Sequence, residues 1–121
     1  MARVIRNRKV VAEAPPSPDA TVVRLEPGDD PALVADRLHQ VERVEVNFPK
    51  FGDGRGLSIA RLLRSRYGYK GELRAVGQIT RDLLFYLERV GFDAAELREG
   101  EEPAEALAAF ETFSRTYQRR L

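Results

Sequence analysis

The stretch VEVNFPKFGDGRGLSIARLLRSRYGYKGELRAV, residues 44–76, decides the fold. It opens with Val44, Val46 and Phe48 alternating with Glu45 and Asn47, the period-two pattern of a strand that buries one face. A glycine-rich loop follows, then helical periodicity over residues 57–67, which Gly68 stops as a left-handed C-cap. Residues 72–76 alternate again, Leu73 and Ala75 against Glu72 and Arg74. Strand, helix and strand in succession predict a βαβ unit with parallel strands and a right-handed crossover.

The same cycle extends in both directions. Upstream, residues 21–25 read as a strand, and Asp30-Pro31 supplies an N-cap with proline in the first turn of a helix over residues 31–40 that buries Val34, Leu38 and Val41. Downstream, Thr80 is expected to cap a helix carrying Leu83, Leu84, Leu87 and Val90, which Gly91 ends. Residues 93–97 form a fourth strand, and Pro103 opens a last helix with Leu107, Phe110, Phe113 and Tyr117 on one stripe. Before the first unit, apolar pairs flank Arg6-Asn7-Arg8-Lys9 as in a β-hairpin. The chain therefore reads as a single α/β domain over residues 1–121: a hairpin in 1–13, a proline-rich linker in 14–20 and βα repeats in 21–121.

Parallel strands with helices on both faces are usually apolar throughout. These alternate instead, so helices are expected on one face only, in a half-barrel-like layer of about four βα units. The other, concave face would carry Arg24, Glu45, Asn47, Glu72, Arg74, Glu96 and Arg98. The alternative, a flavodoxin-like doubly wound sheet, would bury those charges at several kcal/mol each unless they were paired. A cover for the charged face is expected, either the N-terminal hairpin or a second copy of the chain in a homodimer.

Composition narrows the function. With 121 residues, 43% hydrophobic and 32% charged, the chain has the make-up of one globular domain. Its 20 basic residues nearly balance 19 acidic ones, so no global field selects nucleic acid or an anionic membrane. Arg61, Arg64, Arg66, Arg115, Arg119 and Arg120 read as solvated surface charge. No apolar run is long enough for a membrane span and the start lacks a signal-peptide core, so a cytoplasmic protein is expected. The absence of cysteine excludes disulfides, thiolate catalysis and cysteine-ligated zinc or iron-sulfur clusters. The single histidine, His39, lacks a partner at metal-binding spacing, and no metal or cofactor is implied.

The chemistry-bearing segment is the loop over residues 48–58, which leaves the carboxyl end of a strand and enters a helix, where α/β sheets bind ligands. The candidate ligand-binding residues are Lys50, Gly52, Asp53, Gly54, Arg55, Gly56, Ser58 and Arg74. Glycines expose backbone amides, a helix N-terminus adds partial positive charge, and Lys50 and Arg55 add whole charges. Phosphate, sulfate, sulfite or carboxylate would suit such a loop. Its spacing matches neither the dinucleotide fingerprint nor a P-loop. The structural alternative is a tight turn in which Asp53 pairs with Arg55 or caps the helix. For Arg74 the alternative is ion pairing with Glu72, Glu45 or Glu96; Arg81 and Asp82 fall beside the same sheet edge. No catalytic residue is assigned.

Over FPKFGDGRGLSIARLLRSRYGYKGELRAVGQITRDLLFYLERVGFDAAELREG, residues 48–100, the sequence resembles the bacterial domain-of-unknown-function family nine-three-four, most closely at FGDGRG and GELRAVG. Members are commonly labelled oxidoreductases and their genes tend to lie beside those of assimilatory sulfite reductase. The resemblance implies a role in reductive sulfur assimilation: an accessory that docks on sulfite reductase or its electron donor. The other reading is a small enzyme or sensor in which Lys50, Asp53, Arg55 and Arg74 grip an anion and Asp53 moves a proton.

Overall fold

The computed structural model describes residues 2–13, 20–50 and 54–119; the side chains of residues 2, 3 and 113–119 are not described. Six strands form one mixed sheet: β1 (Ala2–Arg6), β2 (Lys9–Glu13), β3 (Val22–Leu25), β4 (Arg43–Phe48), β5 (Glu72–Gly77) and β6 (Ala94–Glu96), in the order β2-β1-β6-β5-β4-β3. Strands β3 to β6 are parallel and lie side by side in chain order. Sequential order with crossovers of one hand puts every connecting helix on the same face. The alternation in β4 and β5 anticipates this arrangement. The expected four-strand parallel sheet is corrected at one edge, where the hairpin joins the sheet itself, β1 running antiparallel to β6 and β2 antiparallel to β1.

The hairpin turns at Asn7 and Arg8, both at positive φ (50° and 63°), the geometry a two-residue turn needs to match strand twist. Asparagine adopts it readily; arginine does so at some cost. Arg8 is held there by two hydrogen bonds to Glu88, at 2.7 and 2.9 Å, and lies 4.9 Å from the centre of the Phe110 ring.

Between the parallel strands lie a 3-10 helix (Pro31–Gln40), α1 (Gly54–Ser65) and a 3-10 turn (Arg81–Leu83) leading into α2 (Leu84–Val90); α3 (Pro103–Arg119) follows β6. The Asp30 carboxylate caps the first of these, accepting from the Ala32 amide at 2.9 Å, as expected. That helix is 3-10 rather than α, although its apolar spacing also suits an α-helix. Pro31, Val34, Leu38 and Val41, all buried, are three, four and three residues apart. Thr80 occupies the expected N-cap position but makes no side-chain cap bond, while Gly91 ends α2 at φ 110° as predicted. The proline-rich stretch, apart from Ala20, lies outside the described residues.

The core lies between the sheet and the helices: Val44, Val46, Phe48, Leu73, Ala75 and Ala95 from the strands meet Ile59, Leu63, Leu87 and Phe110. Arg64 ties down the opposite, amino-terminal edge of the parallel strands. Its guanidinium donates to the carbonyls of Tyr69, Gly71 and Gly91 at 2.7, 2.8 and 3.0 Å and to Asp93 at 2.7 Å. Arg64, expected on a solvated basic surface, is thus a structural clamp. Among the described residues no helix is long and apolar enough to cross a membrane.

Candidate anion-binding loop and the ionic face

Strand β4 ends at Phe48, whose ring is buried against Phe92, 6.0 Å away. Helix α1 begins at Gly54, so the chain reverses within a few residues. Gly56 makes this reversal fit: a β-carbon there would lie 2.6 Å from the Phe48 ring. The neighbouring strand is pinned to the same place, because the Gln78 amide donates to the Phe48 carbonyl at 2.7 Å. Gly77 turns the chain there at φ 101°, where a side chain would meet that carbonyl. The carboxyl ends of β4 and β5 are therefore fixed together beneath the loop.

Lys50, Gly54, Arg55 and Ser58 are exposed on this edge, and Gly56 is buried. No acidic residue lies in the first turn of α1, so nothing within that turn offsets the positive end of its dipole. A β-carbon at Gly54 would meet none of the described residues within 4 Å. The glycines thus divide by role: Gly56 answers to packing, and no described residue crowds Gly54 at the amide end of the helix. Ser58 turns its hydroxyl back to the Gly54 carbonyl at 3.4 Å. Gly52 and Asp53 lie outside the described residues, so the proposed pairing or capping by Asp53 does too.

The structure places Arg74 on the charged face of the sheet, with a side chain 2% exposed. It donates to Glu13 at 2.7 Å, Glu72 at 3.1 Å and Glu96 at 3.0 Å. Arg6 pairs with Glu13 and, at 2.7 Å, with Glu72; Arg43 reaches Glu45 at 2.9 Å; Arg24 reaches Glu45 at 3.2 Å. Four arginines thus balance four glutamates. Ala94 stands in register with both Arg6 and Arg74, and its small side chain leaves room for a guanidinium on either side.

Burial alone would push the Glu13 carboxyl up, but hydrogen bonds from Arg6 and Arg74 outweigh it and hold the group below the usual carboxylate range. Against the same desolvation, the carboxylates raise the arginine pKa values further. Sequence reasoning placed Arg24, Glu45, Glu72, Arg74 and Glu96 here and missed Arg6, Glu13 and Arg43. Asn47 leaves the network and donates to Glu26 at 3.0 Å.

At the far side of the candidate site, Arg81 donates to Glu101 at 3.3 Å. Thr80 is 5% exposed, and among the described residues its hydroxyl has no hydrogen-bond partner. His39 is exposed, away from this edge, on a cleft shared with Tyr67, Tyr69 and Lys70. Among the described residues no group of three His, Asp or Glu side chains could hold a metal ion.

A model of the family described as bacterial protein of unknown function, DUF934, matches residues 22–121, from β3 to the carboxyl terminus. The chain belongs to this family. The match takes in the loop after β4 and all four parallel strands of the DUF934 domain, and begins after the hairpin. No protein of curated function matches the chain.

Proposed function

We propose that this DUF934 protein is a non-catalytic accessory of assimilatory sulfite reduction that holds an anion at the loop between β4 and α1. The observation that carries the binding half is the edge itself. A helix N-terminus without first-turn acids shares an edge with exposed Lys50 and Arg55, beside two strand ends fixed by the Gln78 bond. Backbone amides and whole charges on one edge are what an anion requires, and sulfite, sulfate, phosphate and carboxylate share that chemistry.

Two hydroxyls support binding over group transfer. Ser58 is bonded to its own helix, and Thr80 has no partner among the described residues. Among the described residues neither is bonded to a carboxylate or imidazole that would activate it as a nucleophile. The link to sulfur assimilation rests on the gene neighbourhood the family resemblance implies. A deletion strain tests it: growth on sulfide but not on sulfate or sulfite places the protein in sulfite reduction, and normal growth on sulfate refutes that role.

A further inference from the structure

The charged face is neutral without a partner, but β2 ends the sheet as an unpaired edge among the described residues. Lys9, Val10 and Ala12 are exposed, Val10 by 45%. Exposed sheet edges are templates for strand addition. In a hairpin with a two-residue loop, Arg6 and Lys9 form the first hydrogen-bonded pair, so pairs alternate from there. Lys9, Val11 and Glu13 turn their backbone groups to β1, whereas Val10 and Ala12 turn theirs outward.

We propose that β2 pairs antiparallel with β2 of a second copy about a two-fold axis at Val11, joining two six-stranded sheets into one. Only this register satisfies three conditions at once. Val10 stands opposite Ala12 of the second copy, so the outward backbone groups of both strands meet as hydrogen-bonded pairs. Val11 meets its own copy on the axis as the closer, non-hydrogen-bonded pair. Lys9 stands opposite Glu13 of the second copy, matching cation to carboxylate. Glu13 accepts from Arg6 and Arg74, yet a carboxylate offers about four lone-pair sites, so it has capacity for Lys9. The other edge lacks this complementarity: β3 carries Arg24 with no acidic residue to set against it, and Pro27 follows shortly after. The proposal stands independently of the anion site.

The test uses the full chain, which has no cysteine of its own. Light scattering behind size exclusion is expected to show a dimer at high micromolar concentration. Ala12→Pro, which removes only an outward amide, is expected to give a folded monomer. On mild oxidation, Val11→Cys is expected to form a disulfide-linked dimer faster than Val10→Cys, because position 11 faces itself across the axis. Random collision predicts the reverse, since Val10 is the more exposed residue. A strict monomer, a dimer that survives Ala12→Pro, or faster linkage at position 10 overturns the proposal.

Discussion

Glu13, the last residue of β2, accepts a hydrogen bond at 2.7 Å from Arg74 on β5, 61 residues away in sequence. Strand β5 is the third neighbour of β2 in the sheet, roughly 14 Å away if the sheet were flat. Long side chains bridge that span, and the tip residue Arg8 and the end residue Glu13 both fasten the hairpin to the βα layer.

Arg74 should be the most costly charge to remove. Replacing it with alanine leaves Glu13, Glu72 and Glu96 sharing a low-dielectric face without their common partner, a change worth roughly 3 to 5 kcal/mol. Urea unfolding of Arg74→Ala measures it. A loss below about 1 kcal/mol, the range of exposed pairs, would show the face to be wetter than this geometry implies.

Acid should loosen the hairpin. The Glu13 and Glu88 carboxyls are both held low in the folded protein, Glu88 mainly by the Arg8 hydrogen bonds against a smaller effect of burial. A depressed folded pKa contributes stability above the unfolded value of about 4.3, and that stability is lost as pH falls through the folded value. Stability should stay level from neutral pH to about 5 and drop below about 4.5, and Glu13→Gln should flatten the drop. An unchanged acid profile in Glu13→Gln would contradict the assignment.

The two described loop glycines should separate cleanly. A β-carbon at Gly56 collides with the buried Phe48 ring, so Gly56→Ala should lose roughly 1 to 3 kcal/mol by overpacking. No described residue crowds Gly54, so Gly54→Ala should fold as well as the native chain. Thermal unfolding of the pair compares them, and equal losses would refute the division of roles.

Thr80→Val removes a buried hydroxyl that has no partner among the described residues and keeps the β-branched shape its extended backbone accepts. An unsatisfied buried donor costs roughly 1 to 3 kcal/mol, so the variant should match or exceed native stability. A clear loss in denaturant unfolding would show that the hydroxyl is bonded in solution.

Period-two alternation placed Glu45, Glu72 and Arg74 on one face because strand geometry is local. Arg43 was missed because it precedes the first apolar residue of its strand. Glu13 and Arg6 were missed because they lie on the hairpin, whose pairing with β6 is a contact between distant parts of the chain. The 3-10 form of Pro31–Gln40 was not legible, because its apolar residues are spaced as in an α-helix. The reason for Gly56 was invisible, since it depends on a ring packed beneath the turn. The loop and its charges were legible because a strand end, glycines and a helix start lie consecutively in the chain.

Calorimetric titration of sulfite, sulfate and phosphate into the native protein and into Arg55→Ala tests anion binding at the loop most directly. The account predicts saturable binding of at least one of these anions below millimolar concentration, weakened several-fold in Arg55→Ala while the fold is unchanged. No binding of any of them below millimolar concentration, or equal binding by both proteins, would contradict it.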